Sequence, residues 1–281
     1  MYIAPMLYGG GFSVNNEDIP CKSAHVSQLQ KRNVTRYTSD TERGGFSPVP
    51  QAIKNHHPFI LESFYYANAD TERLLPYFGD FLLDSGAFTF MQGNHSGKID
   101  WEEYIERYAN FINRNKIEKF FELDIDSVVG YKKVLEYRKK LERLTSKPCI
   151  PVWHKFRGVQ DFKKTCDEYG YIAIGGIVAK EITQDEYPKL PALINEAHKR
   201  GAKIHGLGFT ALNWLKICHF DSVDSTAWTT GNRFGFVYKF TGKTMTKIDA
   251  PKGKRLGDSR KIALINYTEW IKFQKYAETH L

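Results

Sequence analysis

KIHGLGFTALNWLKICHFDSVDS, residues 203–225, decides the fold. KIHGLGF is a short apolar run closed by glycines, TALNWLKICH carries apolar residues at helical spacing, and HFDSVDS is a second short extended run. A strand, a helix and a strand in so short a span describe one right-handed crossover between parallel neighbours. The same alternation extends outward in both directions. Strand-like runs stand at 1–8 (MYIAPMLY), 59–67 (FILESFYYA), 81–88 (FLLDSGAF), 119–126 (KFFELDID), 149–155 (CIPVWHK) and 171–178 (YIAIGGIV). Between them lie segments of helical spacing. IDWEEYIERYANFINRN places Trp101, Tyr104, Ile105, Tyr108 and Ile112 on one face, with Asp100 as its N-cap. YKKVLEYRKKLERL, VQDFKKTCDEYG and YPKLPALINEAHKRG read the same way.

Eight strands alternating with helices predict an α/β protein, a single (β/α)8 TIM barrel over residues 1–281. The rival is an open doubly wound sheet. That fold usually carries a glycine-rich phosphate turn after its first strand, and GGGF at 9–12 does not run into a helical pattern. Two segments stand outside the alternation. Residues 9–57 are a long polar loop after the first strand, and residues 232–261 are a β hairpin followed by a basic run. LINYTEWIKFQKYAETHL is expected to be the eighth helix.

The 281 residues are 42% hydrophobic and 26% charged, which excludes disorder and collagen-like repeats as descriptions of the whole chain. A net charge of +8 suits a polyanionic partner such as nucleic acid or an acidic membrane surface. Neither 18 consecutive apolar residues nor a basic start with an apolar run is present, so a cytoplasmic protein is expected. Cys21, Cys149, Cys166 and Cys218 are scattered, which argues for reduced thiols and against a disulfide framework or a zinc clip. No metal or cofactor is expected.

In a barrel the reacting groups sit where strands end. Asp84, Asp124 with Asp126, and Asp221 with Asp224 stand near the ends of three strands, and a buried Asp must be paired, hydrogen-bonded or functional. The plain alternative for each is helix capping. Gly175 and Gly176 end the sixth strand and Gly206 lies in the seventh, where a ligand or a crowded interior requires a small residue. His154 and His205 lie near two further strand ends, as hydrogen-bonded core residues or as site residues. Lys243, Lys247, Lys252, Lys254, Arg255, Arg260 and Lys261 form a run fit for phosphate contact or for plain solvation. Gly-x-Ser-x-Gly, Gly-x-x-x-x-Gly-Lys and His-Glu-x-x-His are all missing. Paired carboxylates can instead run displacement at a sugar carbon.

LLDSGAF, FELDID, AIGGIVAKE, HGLG and FDSVDST, in that order between residues 60 and 231, resemble the tRNA-guanine transglycosylase superfamily. The resemblance implies a (β/α)8 barrel that exchanges guanine in a polynucleotide for a 7-deazaguanine through a covalent aspartyl intermediate. It implies Asp221 as nucleophile, Asp84 as general acid and base, and Asp124 as the acceptor that recognises guanine donors. Asp126, Ser85, Phe88, His154, Gly175, Gly176, His205 and Gly206 would complete the base pocket, with Phe88 and His205 stacking on the base. The chain departs from the tRNA enzymes in several places. It has no cysteine after residue 231 for their zinc site, DSGAF stands for DSGGF, Thr89 for the following Gln, and there is no room for an extra RNA-binding domain. It is more similar to the phage-type enzymes that modify DNA, so DNA and a 7-deazaguanine base are the expected partners. A tRNA-modifying enzyme, a barrel nucleoside or glycoside hydrolase and a non-catalytic nucleic-acid-binding protein are the alternatives.

Overall fold

The computed structural model describes residues 1–3, 51–86, 99–209, 211–251 and 259–281, the side chains of residues 51, 52, 232, 233, 259 and 260 excepted. Along the chain run β1 (Tyr2–Ile3), α1 (Gln51–His56), β2 (Phe59–Ser63), α2 (Ala69–Leu74), β3 (Asp80–Asp84), α3 (Trp101–Arg114), α4 (Asp126–Val129) and α5 (Tyr131–Thr145). They are followed by β4 (Val152–Trp153), α6 (Gly158–Glu168), β5 (Tyr171–Ile174), α7 (Leu190–Lys199), β6 (Lys203–Gly206), α8 (Leu212–Cys218) and β7 (Ser222–Ser225). Then come α9 (Ala227–Phe234), β8 (Phe236–Phe240), β9 (Met245–Asp249) and α10 (Ser259–His280). The protein is thus mixed α/β with parallel sheet, as expected, and no barrel closure is found among the described residues. No helix among them is long and apolar enough to cross a membrane.

The chain divides into two compact units, the first made of residues 1–5, 56–61 and 150–281 and the second of residues 6–55 and 62–149. In the first unit β1 pairs in parallel with β2 (Ile3 opposite Ile60) and with β7 (Tyr2 opposite Asp224). From β7 the ladder passes to β6, β5 and β4, all parallel. These strands are short and apolar because both faces are covered: Ile172, Ala173, Ile174 and Ile204 are fully buried. Each such isoleucine side chain contributes about 1.5–3 kcal/mol by leaving water. Gln274 of α10 ties the starts of β1 and β2 together, accepting from Phe59 N (2.9 Å) and donating to the carbonyls of Met1 and Phe59.

The expected hairpin is present, with β8 antiparallel to β9. Its open edge is satisfied by buried side chains of α10. Asn266 accepts from Tyr238 N (2.6 Å) and Glu269 from Phe240 N (2.7 Å), while Tyr238 packs edge-on against Trp270. This is how an unpaired strand edge avoids carrying orphan amides into the interior.

In the second unit, Phe64 N donates to the Asp84 carbonyl, and the Leu83 backbone exchanges bonds with Lys119 and Phe121. The helix α3 follows its sequence pattern. Tyr104, Ile105, Tyr108 and Ile112 are buried, and the Asp100 side chain caps the first turn through Glu103 N (3.1 Å).

The strand readings extend beyond the strands: FILESFYYA narrows to β2, YIAIGGIV to β5, KIHGLGF to β6 and HFDSVDS to β7. KFFELDID holds bridge residues at Phe120 and Phe121, with Leu83 opposite Phe120, but forms no extended ladder, and Asp126 already begins α4. The alternation of Phe121, Leu123 and Ile125 with acids imitates a strand, yet the segment takes its order from packing rather than from a ladder. CIPVWHK narrows to β4, and FLLDSGAF ends at Asp84 within its described part. Helices α2, α4 and α9 were not foreseen. The polar segment 9–57 contains α1 at its end, while residues 4–50 lie outside the described residues.

Candidate functional site

In the second unit β3 delivers Asp84 at its last position, half-buried, with Oδ2 accepting from Gly86 N (2.9 Å). Gly86 has φ +80°, and a Cβ there would come within 2.7 Å of Tyr65 Cβ, so the turn after Asp84 requires glycine. Ser85 is fully buried, and its Oγ has no hydrogen-bond partner among the described residues. Two tyrosines one turn apart on α3 fix this strand end. Tyr104 OH donates to the Ser85 carbonyl, and Tyr108 OH lies 3.0 Å from the carbonyls of both Leu83 and Phe121. Burial first, then the charge of Asp84, holds both phenols well above their ordinary pKa, so they remain donors. Asp124 and Asp126 are half-buried, with carboxylate oxygens within 4.8 Å of each other. Phe88 lies outside the described residues.

In the first unit Asp221 and Asp224 occupy different ends of β7. Asp221 stands before β7, at the entry of the strand, and its Oδ2 accepts from Ile204 N (2.8 Å) and meets His198 Nε2 (2.8 Å). It clamps the start of β6 to the end of α7, which is the wrong end of a parallel strand for a reacting group. Asp224, three residues on, lies near the C-terminal end of β7 and is 7% exposed. Its Oδ1 accepts from Gly208 N (2.6 Å) and faces His205 Nε2 (3.3 Å), while Oδ2 accepts no hydrogen bond among the described residues.

His205 is fully buried, with Nδ1 2.5 Å from Ser222 Oγ. A base cannot stack on an imidazole so enclosed, so the stacking role expected of His205 does not fit. The strand pleat explains its position: His205 is the ladder partner of Ser222, and Ser222 and Asp224 point to the same face of β7.

The glycines are explained by the protein's own crowding. A Cβ on Gly175 would lie 2.9 Å from His154 Cε1, one on Gly176 2.6 Å from the Glu181 carboxylate, and one on Gly206 3.0 Å from the Phe220 ring. Gly175 N–H is engaged by the Trp153 carbonyl, and the Gly176 carbonyl by Glu181 N and Ile182 N, so neither group is offered to a base edge. His154 is buried, and its Nδ1 meets Glu181 Oε2 at 3.0 Å. Glu181 was missed by sequence reasoning, although its place five residues after Gly176, at φ +76°, marks a tight return of the chain. Ser222 and Tyr171 were missed as well, because a lone Ser and a lone Tyr in strands carry no signal until the register is known.

Of the basic run, Lys243 and Lys247 are exposed on the hairpin, with Lys247 paired to Asp249 (2.7 Å) and lying over the Phe236 ring. Lys261 is exposed at the start of α10. Lys252, Lys254, Arg255 and the Arg260 side chain lie outside the described residues. Cys149, Cys166 and Cys218 are buried free thiols, and Cys21 lies outside the described residues. Burial raises the Cys166 and Cys218 thiols to about 11, which keeps them protonated and unreactive. Compared with protein-family models and with curated proteins, the sequence matches none of them.

Proposed function

We propose that the protein is a DNA-guanine transglycosylase that exchanges guanine for a 7-deazaguanine base, with Asp224 as nucleophile; the resemblance gives the general acid and base role to Asp84. The observation that carries this reading is the state of Asp224. It lies near the C-terminal end of a parallel strand, buried, with one carboxylate oxygen fixed by Gly208 N–H and the other unengaged among the described residues. A carboxylate held by one oxygen presents the other in a fixed direction, which is what attack at a sugar carbon needs.

The ordered motifs support the same reading, with the nucleophile moved from Asp221 to Asp224 within FDSVD. The strand order supports the (β/α)8 barrel that goes with it. From β4 to β7, and on through β1 to β2, every strand adds on the same side of its predecessor. An open doubly wound sheet reverses at a switch point instead.

In this chemistry the target nucleotide leaves the stack at a cost of a few kcal/mol. A lone pair of Asp224 Oδ2 then forms a bond to C1′ as the C1′–N9 bond breaks. The bonding pair departs on guanine N9, which takes a proton from the general acid. The incoming 7-deazaguanine returns a proton from its N9 to that group, now the general base, and its N9 attacks C1′, breaking the bond to Oδ2. The resemblance gives Asp124 the role of acceptor for the base's N1 and amine donors. The exposed Lys243, Lys247 and Lys261 supply phosphate contacts.

The test is incorporation of radiolabelled guanine, or of 7-cyano-7-deazaguanine, into duplex DNA, single-stranded DNA and tRNA in parallel. Label entering DNA, lost by about 10⁴-fold in Asp224→Asn and retained in Asp221→Asn, is the expected result. Label in tRNA alone moves the protein to the RNA branch, and guanine release without label makes it a glycosidase.

A further inference from the structure

The hydrogen bonds around His205 have one consistent direction. Gly208 N–H donates to Asp224 Oδ1 at 2.6 Å, which marks that oxygen as an acceptor, and His205 Nε2 faces the same atom at 3.3 Å. Nε2 therefore carries the ring proton, and Nδ1 of a neutral imidazole is then an acceptor. Ser222 Oγ, 2.5 Å from Nδ1, donates its single proton there. Tyr171 OH, 2.5 Å from Ser222 Oγ, in turn donates to the serine oxygen. The Tyr2 ring, its centroid 6.0 Å from that of His205, packs beside the imidazole.

We propose that Tyr171, Ser222 and His205 form a one-way hydrogen-bond relay, running across β5, β7 and β6, that positions the Asp224 carboxylate and makes it a better leaving group. The inference rests on the reading of Asp224 as nucleophile. Ser222 and Tyr171 are positioning residues, acting through His205. Their effect is placed at one step of the exchange. When Oδ2 bonds to C1′, the carboxylate becomes an ester and Oδ1 loses charge, so the bonds from Gly208 N–H and His205 Nε2–H weaken. When incoming N9 displaces the ester, the electron pair of the C1′–Oδ2 bond returns to the carboxylate and both bonds strengthen, because charge-assisted hydrogen bonds are the stronger kind. The relay therefore accelerates release of the sugar from Asp224 at some cost to its capture.

Two measurements on the full chain test this. In ¹⁵N-histidine spectra, with the His205 signals assigned by their loss in His205→Gln, the wild type is expected to show the Nε2–H tautomer. Ser222→Ala is expected to give a mixture of tautomers, and Tyr171→Phe a smaller change. An Nδ1–H tautomer in the wild type, or unchanged His205 signals in Ser222→Ala, overturns the relay. In the exchange reaction, Ser222→Ala is expected to slow breakdown of the covalent protein–DNA adduct by about tenfold, so that adduct accumulates on a denaturing gel, with Tyr171→Phe intermediate. An unchanged ratio of adduct to product in Ser222→Ala overturns the catalytic part. If no adduct dependent on Asp224 forms in any variant while the tautomers behave as expected, the transglycosylase reading fails and the relay stands as a structural device.

Discussion

Arg138 closes on Glu122 through Nε at 2.6 Å and Nη2 at 3.1 Å, with the arginine side chain 4% exposed and the glutamate not exposed at all. The two residues lie 16 apart in sequence, and their ion pair stands inside the apolar core of the second unit. A fork-on-carboxylate geometry satisfies both charges where neither could be left alone. Arg138→Met should strand the Glu122 carboxylate and cost about 3–5 kcal/mol, whereas changing both residues to apolar ones of similar volume should recover most of that loss. Urea denaturation of the two variants distinguishes these outcomes; equal losses would show that packing rather than charge pairing is at stake.

Glu62 accepts from Thr71 Oγ1 at 3.0 Å and is otherwise enclosed. Burial raises its pKa to about 7, with Asp70 pushing in the same direction and the Thr71 bond against it. Because the folded state binds the proton more tightly than the unfolded one, this group favours folding most below its unfolded pKa, and stability falls as pH rises from about 4.5 to about 7. At roughly 1.4 kcal/mol per unit, the whole change is about 3 kcal/mol. Glu62→Gln keeps an acceptor for Thr71 and should be more stable than wild type at pH 8, with the gap closing towards pH 4.5. Denaturation midpoints across that range check the slope, and parallel curves would refute it.

Tyr108 OH stands 3.0 Å from two backbone carbonyls, those of Leu83 and Phe121, at the one bridge that joins these segments. Tyr108→Phe removes that donor inside a fully buried site and should cost about 1–3 kcal/mol. Hydrogen exchange at the Phe121 amide, which donates to Leu83, should rise before exchange elsewhere in the unit. Uniform loosening would mean that the hydroxyl does not hold this junction in particular.

Asp221→Ala frees Ile204 N–H and removes the partner of His198, so a loss of about 1–3 kcal/mol is expected. Base exchange per folded molecule should remain within about threefold of wild type, since a bond at the strand's entry supports folding rather than the reacting atoms. Thermal melts together with labelled-guanine incorporation measure both quantities. Loss of exchange in a folded Asp221→Ala protein would return the nucleophile to Asp221.

The alternation that marks α3, α6, β5, β6, β7 and the hairpin was legible because each element's own residues repeat at the period of its structure. The choice between Asp221 and Asp224 was not. Both lie in one six-residue run, and only the point where the ladder begins, at Ser222, separates a residue at the entry of β7 from one near its end. Parity carried a partial signal: Val223 lies on one face, and Ser222 and Asp224 on the other. FELDID misled for the opposite reason. Its alternation is real, but Glu122 answers to Arg138 on α5 and not to a neighbouring strand. Glu181, Ser222 and Tyr171 acquire their roles only from residues brought close by the fold.

Because Tyr2 lies opposite Asp224 in the ladder and Gln274 grips both Met1 and Phe59, the two ends of the first unit are assembled by the same contacts. Bonds between residues 59 and 274 span 215 positions, and β1 acquires its second neighbour only when β7, at residues 222–225, has been made. Such long-range closure makes folding slow relative to chains stitched by local contacts. It also makes the surroundings of Asp224 depend on the seating of β1: a molecule that has not yet paired β1 with β7 has an incomplete wall beside that carboxylate.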